Sequence, residues 1–316
     1  MIYIDFNGRC GDQFFQYAFA RKIQIKINDI ECLQFNFYNE ERWRKKTNDN
    51  SFRNDLEYFN VKKNNCFVSE KNNLEAFGTK KQKRLFKRYT FFVKLSKKTH
   101  FSFFARFFQN KLQKNGIYYD DEFFDFFCYP KKGVDVFLKG YFEDYRYYED
   151  RKLKSNLVRE LTPIVNTLDG SCFLSKIKDT NSICVSIRSW SEVSNMPDVT
   201  KARMVCGSQY YDKAIKKMQS IYPDATFVIF SDNLEWAKQT LDYNDKFLFE
   251  EDNYDICEKI TLMRNCKHFI ISNSSFSWWV QFLSSNSNKT VISPNKWYNN
   301  KDDTRLLCPN WLRIDG

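Results

Sequence analysis

Four short polar segments follow apolar runs of the sequence, and their side chains are of types that bind anions or move protons. The first is 7–13, in which Gly8 and Gly11 permit a tight turn and close approach of the backbone to a ligand. The two glycines lack the G-x-G-x-x-G spacing of a dinucleotide fingerprint. Two interpretations stay open: an anion-binding turn at a helix N-terminus, or a simple strand–helix turn with Asp12 near the N-cap.

The second segment, 186–192, places Arg188 where a strand is predicted to end. A guanidinium at that position can clamp a phosphate through two parallel hydrogen bonds, with the hydroxyls of Ser189 and Ser191 as further donors. The alternative is a salt bridge from Arg188 to an acid at the edge of the core.

The third segment, 231–233, is centred on Asp232. Glu235 follows at capping-box spacing, so a role as the N-cap of a helix at 233–241 is a sufficient explanation for Asp232. The functional alternative is a carboxylate that accepts hydrogen bonds from a base or a ribose.

The fourth segment, 273–279, reads Asn-Ser-Ser-Phe-Ser-Trp-Trp and follows a predicted strand. A strand, a loop of small hydroxyl residues and a helix together can cradle a phosphate, because backbone N–H groups and Ser hydroxyls point at one spot. The paired Trp278 and Trp279 are more typical of packing than of stacking on a sugar.

Metal and hydrolase chemistry find little support in the sequence. The ten cysteines include no C-x-x-C pair and the only histidines are His100 and His268, so about four clustered zinc ligands cannot be assembled. There is no D-x-D motif, no apolar run of the ~20 residues that a membrane helix needs, and no signal-peptide pattern at the N-terminus. We expect a cytoplasmic protein whose cysteines are buried free thiols.

Alternating strands and helices must position the four segments. The N-terminal half predicts strands at 2–6, 30–37 and 133–139, helices at 12–27 and 147–162, and loops over 40–75; Phe15, Phe19, Ile23 and Ile27 would give the first helix one buried face. Beyond Pro163 the predicted strands are 182–188, 225–231, 267–272 and 290–293, and the predicted helices are 208–220, 233–241, 253–265 and 275–286.

This alternation indicates an α/β fold with parallel sheets covered on both faces. We predict two domains, an α/β domain over 1–160 and a Rossmann-like domain over 165–316. Ligands of such sheets bind beyond the carboxyl ends of the strands, which is where the four polar segments lie.

The positive charge is concentrated in one stretch. The net charge is +11, yet 76–119 contains twelve Lys or Arg residues and no acid, with phenylalanines interleaved. Three interpretations compete: a basic aromatic surface on an anionic membrane, a nucleic-acid surface, or an ordinary helical insertion with core aromatics and solvated charges. The first would make the protein peripheral on the inner membrane face, in contact with the anionic membrane through residues 80–114.

Five blocks of the sequence resemble glycosyltransferase family 11, the α-1,2-fucosyltransferases. Residues 8–20 match most of G-G-L-G-N-Q-M-F-Q-Y-A-F-A, and 140–148 matches G-Y-F-Q-[SD]-x-[RK]-Y-F. The family's F-S-D-D-x-x-W, its C-K-H-x-I-I-A-N-S-[ST]-[FY]-S-W-W and its P-x-x-W-[FY] correspond to 230–236, 266–279 and 294–298, in the family's order.

Two departures accompany the resemblance. The family's phosphate motif H-x-R-R-x-D becomes Ser-Ile-Arg-Ser-Trp-Ser at 186–191, so only its first Arg, Arg188, is present. In the wider fucosyltransferase group that Arg grips the β-phosphate of the donor. Asp12 replaces the family's Asn and adds a carboxylate.

The resemblance implies a GT-B architecture, in which two Rossmann-like domains face a cleft, with the donor in the C-terminal domain and the acceptor in the cleft. It implies metal-independent, inverting transfer of L-fucose from GDP-fucose in α-1,2 linkage to a glycan or lipid-linked oligosaccharide. Arg188 would stabilise the departing diphosphate, and the base candidates are Asp12, Glu192 and Asp144. The implied donor-binding residues are Gly8, Gly11, Gln13, Arg188, Ser189, Asp232, Asn273, Ser274, Ser275 and Ser277.

Two alternatives remain. The scaffold could use another nucleotide sugar, because the phosphate motif is rewritten. The chain could also be a non-catalytic binder of membrane or nucleic acid, although the retained Arg188 and the complete run 273–279 argue against a dead enzyme.

Overall fold

A computed structural model describes residues 1–27, 33–62, 65–67, 71–99, 103–190 and 197–316. The chain divides into two compact units: 1–143 with 147–160, and 144–146 with 161–316. Each unit is built on its own parallel β-sheet.

The first unit has a five-stranded sheet in the order β3-β2-β1-β5-β4, with every neighbouring pair parallel. Its strands are β1 (Ile2–Asp5), β2 (Leu33–Asn36), β3 (Asn65–Phe67), β4 (Ile117–Tyr119) and β5 (Val136–Lys139). Its α-helices are α1 (Cys10–Ile27), α2 (Tyr38–Thr47), α3 (Asn73–Phe77), α4 (Lys80–Thr99), α5 (Phe103–Lys114) and α6 (Arg151–Glu160).

Helix α1 is buried on all sides and not on one face as predicted. Thirteen of its eighteen residues are buried, including the polar Gln13, Gln16 and Gln24. The cause is that α1 packs on β1, while the 3₁₀ helix at Asp55–Tyr58 and helix α6 cover its other sides. Sequence periodicity could not reveal this, because the partners that bury the polar positions lie far along the chain.

The prediction of loops over 40–75 was wrong. This range contains most of α2, a 3₁₀ helix (Asp55–Tyr58), β3 and α3. Helix α2 escaped detection because its single buried side chain is Glu40, so it has no apolar stripe for periodicity to find.

Helices α4 and α5 form the insertion that the basic stretch predicted. Leu85, Tyr89 and Leu112 pack toward β4 and β5, and the Tyr89 hydroxyl donates to Asp121 at 2.6 Å. Gln109 donates to the Tyr89 hydroxyl at 2.8 Å. The pair is therefore anchored to the first unit by a buried polar network as well as by apolar packing.

The second unit has a six-stranded parallel sheet in the order β11-β10-β9-β6-β7-β8. Its strands are β6 (Ser182–Ile187), β7 (Thr226–Ser231), β8 (Phe247–Phe249), β9 (His268–Ile270), β10 (Val291–Pro294) and β11 (Leu312–Ile314). Its α-helices are α7 (Cys172–Asp179), α8 (Pro197–Arg203), α9 (Ser208–Ile221), α10 (Leu234–Thr240), α11 (Ile256–Arg264) and α12 (Ser275–Leu283).

Counted from β6, this strand order is 3-2-1-4-5-6 read from the β8 edge, the order of the Rossmann fold. The predicted fold class, α/β with two Rossmann-like parallel sheets and a helical insertion in the N-terminal half, is confirmed. From β6, successive strands are added toward the β8 edge, and from β9 they are added toward the β11 edge, so the order of strand addition reverses between β6 and β9. In such folds that switch point opens a crevice at the carboxyl ends of the two strands.

Eight cysteines of the described segments are free thiols, and Cys10, Cys184, Cys206 and Cys266 among them are buried. The expectation of buried free thiols therefore holds for half of these eight. No helix in the described ranges is long and apolar enough to cross a membrane.

Candidate functional site

The switch point of the second sheet brings together three of the four polar segments. Arg188 directly follows β6, Asp232 directly follows β7, and Asn273–Ser275 joins β9 to α12. Ile187 and Ser231 are register partners, so the next residue on each strand, Arg188 and Asp232, emerges at the same level of the sheet.

Arg188 and Asp232 form an ion pair at this edge. The Arg188 Nη1 lies 2.9 Å from Asp232 Oδ2, and the Ser189 backbone N–H donates to Asp232 Oδ1 at 2.7 Å. The salt bridge foreseen as one interpretation of Arg188 is thus formed. Both side chains keep solvent access, 23% for Arg188 and 18% for Asp232, so an anion can reach the guanidinium.

Asp232 does not cap a helix, which corrects one interpretation of the third segment. The N-cap of α10 is Asn233, whose side-chain oxygen accepts from the Trp236 N–H at 3.0 Å. Both Asp232 oxygens are engaged by the residues that follow β6. The capping box of this unit lies instead at Asp255 and Glu258, at the start of α11.

The fourth segment divides into an exposed part and a buried part. Ser274, the N-cap of α12, makes no capping hydrogen bond with its side chain, and Ser274 and Ser275 are partly exposed at the helix N-terminus. Ser277 is buried, and its hydroxyl lies 2.7 Å from that of Ser186 and 3.0 Å from that of Ser272. Ser277 therefore fixes the helix to the strands, whereas Ser274 and Ser275 are the partly exposed serines of this segment.

Asn273 is a structural clamp and not an exposed ligand contact. It is buried, and its amide nitrogen donates to the carbonyls of Arg203 at 2.8 Å and of Trp297 at 2.9 Å. It thereby ties the end of α8 to the switch point. This role was not predicted for Asn273.

Sequence reasoning missed two side chains at this edge, Trp190 and Arg203. The guanidinium carbons of Arg188 and Arg203 each lie 5.0 Å from the Trp190 ring centroid. Arg203 follows Arg188 by fifteen positions and matches no spacing rule, so the sequence alone contains no signal for this cluster.

The first polar segment sits at the end of β1, where carboxyl groups face its N–H groups. Asp12 Oδ2 accepts from the Arg9 N–H at 3.1 Å, and Asp55 accepts from the Cys10 N–H. The Gly8 N–H is close enough to Glu40 to lower its pKa, without a standard hydrogen bond from any described residue to either oxygen. Three acids thus occupy the place where an anion would bind.

Glu40 is the most perturbed of these acids. Desolvation by burial, followed by the charge of Asp12, raises its pKa from 4.5 to about 8, and the Gly8 N–H offsets only part of the shift. This concentration of carboxyls disfavours a diphosphate at the α1 N-terminus. The structure therefore argues against the predicted donor contacts of Gly8 and Gly11.

Gln13, another predicted donor contact, is completely buried and fully engaged. Its amide nitrogen donates to the carbonyls of Gly8 at 3.1 Å and Arg53 at 2.7 Å, and its oxygen accepts from the Asp55 N–H at 3.0 Å. Gln13 holds the first polar segment in shape, and because both its amide N–H groups are used and the side chain is fully buried, it is not available to a sugar or phosphate.

Asp144 is excluded as the proton acceptor that the sequence suggested. It is 1% exposed, and the Arg146 Nε donates to its two oxygens at 2.9 and 3.1 Å. A buried carboxylate held in a bidentate ion pair is structural. The other base candidate after β6, Glu192, and its neighbour Ser191 lie outside the described residues.

Metal ligation is not evident in the described ranges, where no group of three His, Cys, Asp or Glu side chains is arranged to hold an ion. The prediction of metal-independent chemistry stays a prediction.

A Rossmann-like sheet with an accessible arginine and a helix N-terminus at its switch point is typical of nucleotide-binding α/β enzymes. The sequence assigns this chain more narrowly. It belongs to glycosyl transferase family 11, whose family model matches residues 1–315.

Two curated relatives come from Escherichia coli. An alpha-1,2-colitosyltransferase is 33% identical over 193 residues, which are 58% of this chain and 64% of that protein, slightly less than two thirds of its length. The O-antigen biosynthesis glycosyltransferase WbnK is 26% identical over 327 residues, covering 99% of this chain and all of that protein. Among solved structures, the fucosyltransferase NodZ from Bradyrhizobium aligns with a TM-score of 0.46 and 10% identity, over 89% of this chain and 92% of that one.

Proposed function

We propose that this protein is an inverting glycosyltransferase that binds the diphosphate of a nucleotide sugar at the switch point of its second sheet. The observation that carries the proposal is the position of Arg188, accessible at the carboxyl end of β6 beside the N-terminus of α12. A guanidinium and a helix N-terminus are both suited to an anionic leaving group. Family membership supplies the reaction class.

In this proposal the leaving diphosphate competes with Asp232 for Arg188. The acceptor hydroxyl attacks the anomeric carbon of the sugar from the face opposite the diphosphate, so the configuration inverts. The C–O bond to the diphosphate breaks as the new glycosidic bond forms, and a base takes the hydroxyl proton. Asp12 and Glu192 stay candidates for that base.

For the donor we propose a GDP-linked 6-deoxy sugar. The family resemblance favours L-fucose, and the name of one relative adds colitose. We further propose α-1,2 linkage and an oligosaccharide acceptor, free or lipid-linked; the O-antigen role in the name of the second relative supports a polysaccharide product. No metal is expected to take part.

Thermal unfolding with GDP, UDP, ADP and CMP, each with and without EDTA, tests the donor assignment. A ligand at a hundredfold excess over its Kd stabilises the native state by about 2.7 kcal/mol. We expect a shift with GDP that EDTA leaves unchanged. Stabilisation by UDP alone, or only with a divalent metal, would rule out a metal-free GDP-sugar enzyme.

Arg188→Ala tests the site itself. Losing a group that stabilises a developing anion costs roughly 10²–10³ in rate, so transfer from GDP-fucose or GDP-linked colitose should fall by that factor. Arg313→Ala removes an exposed arginine from the edge strand β11 of the same unit and serves as the matched control. Equal activity of the two variants would refute the role of Arg188.

We also propose that the α4–α5 pair contacts an anionic membrane surface. Three phenylalanines of these helices are among the most exposed large apolar side chains of the described chain: Phe91 at 63%, Phe103 at 62% and Phe107 at 58%. Phe92 of α4 stacks on Phe104 and Phe108 of α5, so the two helices pack side by side.

Cations share the apolar faces. Arg84, Arg88, Phe91, Leu95 and Lys98 are all exposed, and their 4-3-4-3 spacing puts them on one face of α4. Because exposed apolar residues and cations share these helices and the stretch carries no acid, the surface suits a bilayer with anionic headgroups. The buried network at Tyr89 anchors the pair to the first unit.

Flotation with vesicles of pure phosphatidylcholine, or with an added half of phosphatidylglycerol, tests this contact. We expect binding to the mixed vesicles and at least a tenfold loss in the triple variant Phe91→Ser/Phe103→Ser/Phe107→Ser. Ile164→Ser/Val165→Ser removes two equally exposed apolar residues elsewhere and is the control. Binding to single-stranded DNA instead of vesicles would favour the nucleic-acid interpretation.

A further inference from the structure

Trp190 occupies an unusual position at the switch point. It has φ of +57°, in the left-handed region that a bulky residue adopts only when its surroundings force it, and it is 93% buried. Such conformations cluster at ligand-binding sites. Here the conformation turns the indole under Arg188, whose guanidinium carbon lies 5.0 Å from the ring centroid.

The Arg203 guanidinium also stacks on the Trp190 ring, with its central carbon 5.0 Å from the ring centroid. Arg203 is the last residue of α8, and its backbone carbonyl accepts from Asn273 at 2.8 Å. Asn273 immediately precedes Ser274 and Ser275 at the N-terminus of α12. Backbone and side-chain contacts therefore both hold Arg203 near the groups that we assign to the diphosphate.

The charges at this edge leave Arg203 as the uncompensated cation. Arg188 is paired with Asp232, so those two side chains contribute no net charge together. Arg203 has an exposed side chain and forms no salt bridge within the described part of the chain. Position 189 is a serine, so no second guanidinium follows Arg188 directly in the sequence.

We propose that Arg203 is the second cation on the diphosphate of the nucleotide sugar, held in place by the Trp190 ring and the Asn273 clamp. This inference rests on the proposed function and assigns to the donor site a residue from a different element, α8. Arg188 and Arg203 share the charge of the leaving diphosphate, and Trp190 pre-orients both guanidiniums by stacking, which lowers the cost of ordering them.

Isothermal titration with GDP, GMP and guanosine tests the inference. A lost charge-assisted hydrogen bond weakens binding by about tenfold to a hundredfold. We expect Arg203→Ala to lose that factor for GDP, much less for GMP, and nothing for guanosine. Arg203→Lys, which keeps the charge but not the planar fork, should fall between. Lys201→Ala, an exposed cation on the same helix, is the matched control.

Three results would overturn the assignment, and they are distinguishable. If Arg203→Ala binds GDP as the wild type does, Arg203 has no part in the site while the proposed function stands. If GDP, GMP and guanosine weaken equally, Arg203 only supports the fold of the loop. If the wild type binds none of the three, the proposed function itself fails. Unchanged thermal unfolding of Arg203→Ala without nucleotide shows that the variant is folded.

Discussion

At the scale of single residues, the buried carboxyl of Glu40 in the first unit makes stability depend on pH. Glu40 is 1% exposed, and its pKa of about 8 means that the folded protein keeps it protonated where an unfolded chain would ionise it. A carboxyl with a raised pKa contributes its full stability below its unfolded pKa of 4.5 and loses it as the pH rises toward 8.

Glu40→Gln should therefore gain stability relative to the wild type as the pH rises. Glutamine keeps the shape and is never ionised, so the stability difference between the variant and the wild type should shift by about 4 kcal/mol in favour of the variant between pH 4.5 and pH 8. Urea unfolding at both pH values measures this. Glu149→Gln, at an exposed position of the same unit, should show no such trend. A pH-independent difference for Glu40→Gln would contradict the raised pKa.

At the scale of elements, polar contacts connect helices that the sequence separates widely. Glu160 on α6 accepts from the Arg21 Nη2 and Nε on α1, each at 2.8 Å, and from the Tyr17 hydroxyl at 2.6 Å. Both ion-pair partners are buried. Breaking such a pair leaves an uncompensated buried charge, whereas replacing both partners does not.

Glu160→Ala should lower the free energy of unfolding of the first unit by about 3 to 5 kcal/mol. The double variant Arg21→Met/Glu160→Leu should recover most of that loss, since apolar side chains of similar size avoid the unpaired charge. Urea denaturation of both variants measures the effect, with Glu149→Ala as an exposed control. If the double variant were no more stable than the single one, the loss would come from packing and not from charge.

At the scale of the whole molecule, the two parallel sheets differ in the side chains at the carboxyl ends of their strands. At the carboxyl end of β1, carboxyl groups lie against the backbone N–H groups. At the carboxyl ends of β6 and β9 lie arginines and the N-terminus of α12. A nucleoside diphosphate should therefore bind the second sheet only.

Hydrogen exchange with and without GDP checks this division. We expect protection of peptides covering 186–190, 231–236 and 273–279, and no change over 8–16, because carboxyl oxygens already accept from N–H groups at the α1 N-terminus. Guanosine, which lacks the phosphates, is the control and should protect 186–190 less. Protection of 8–16 by GDP would restore the predicted donor contacts of Gly8 and Gly11.

The α/β class, the family and the basic insertion follow from the amino-acid order alone, because each depends on residues that are contiguous in the chain. The alternating strands and helices, the blocks at 8–20 and 266–279 and the charge run at 76–119 are all contiguous features. Helix α2 and the short strand β8 escaped prediction, since neither has a local apolar pattern long enough to be distinctive.

The roles of individual polar side chains, in contrast, depend on how the elements pack together. Asp232 pairs with Arg188 and does not cap α10, because the register of β6 and β7 sets the two residues side by side. Gln13 is structural because its partners Arg53 and Asp55 come from another segment. Asp144 is structural because the fold buries it in an ion pair with Arg146. Trp190 and Arg203 meet because a strand end and a helix end converge in space. A side chain's role depends on its neighbours in three dimensions, and linear spacing does not encode them.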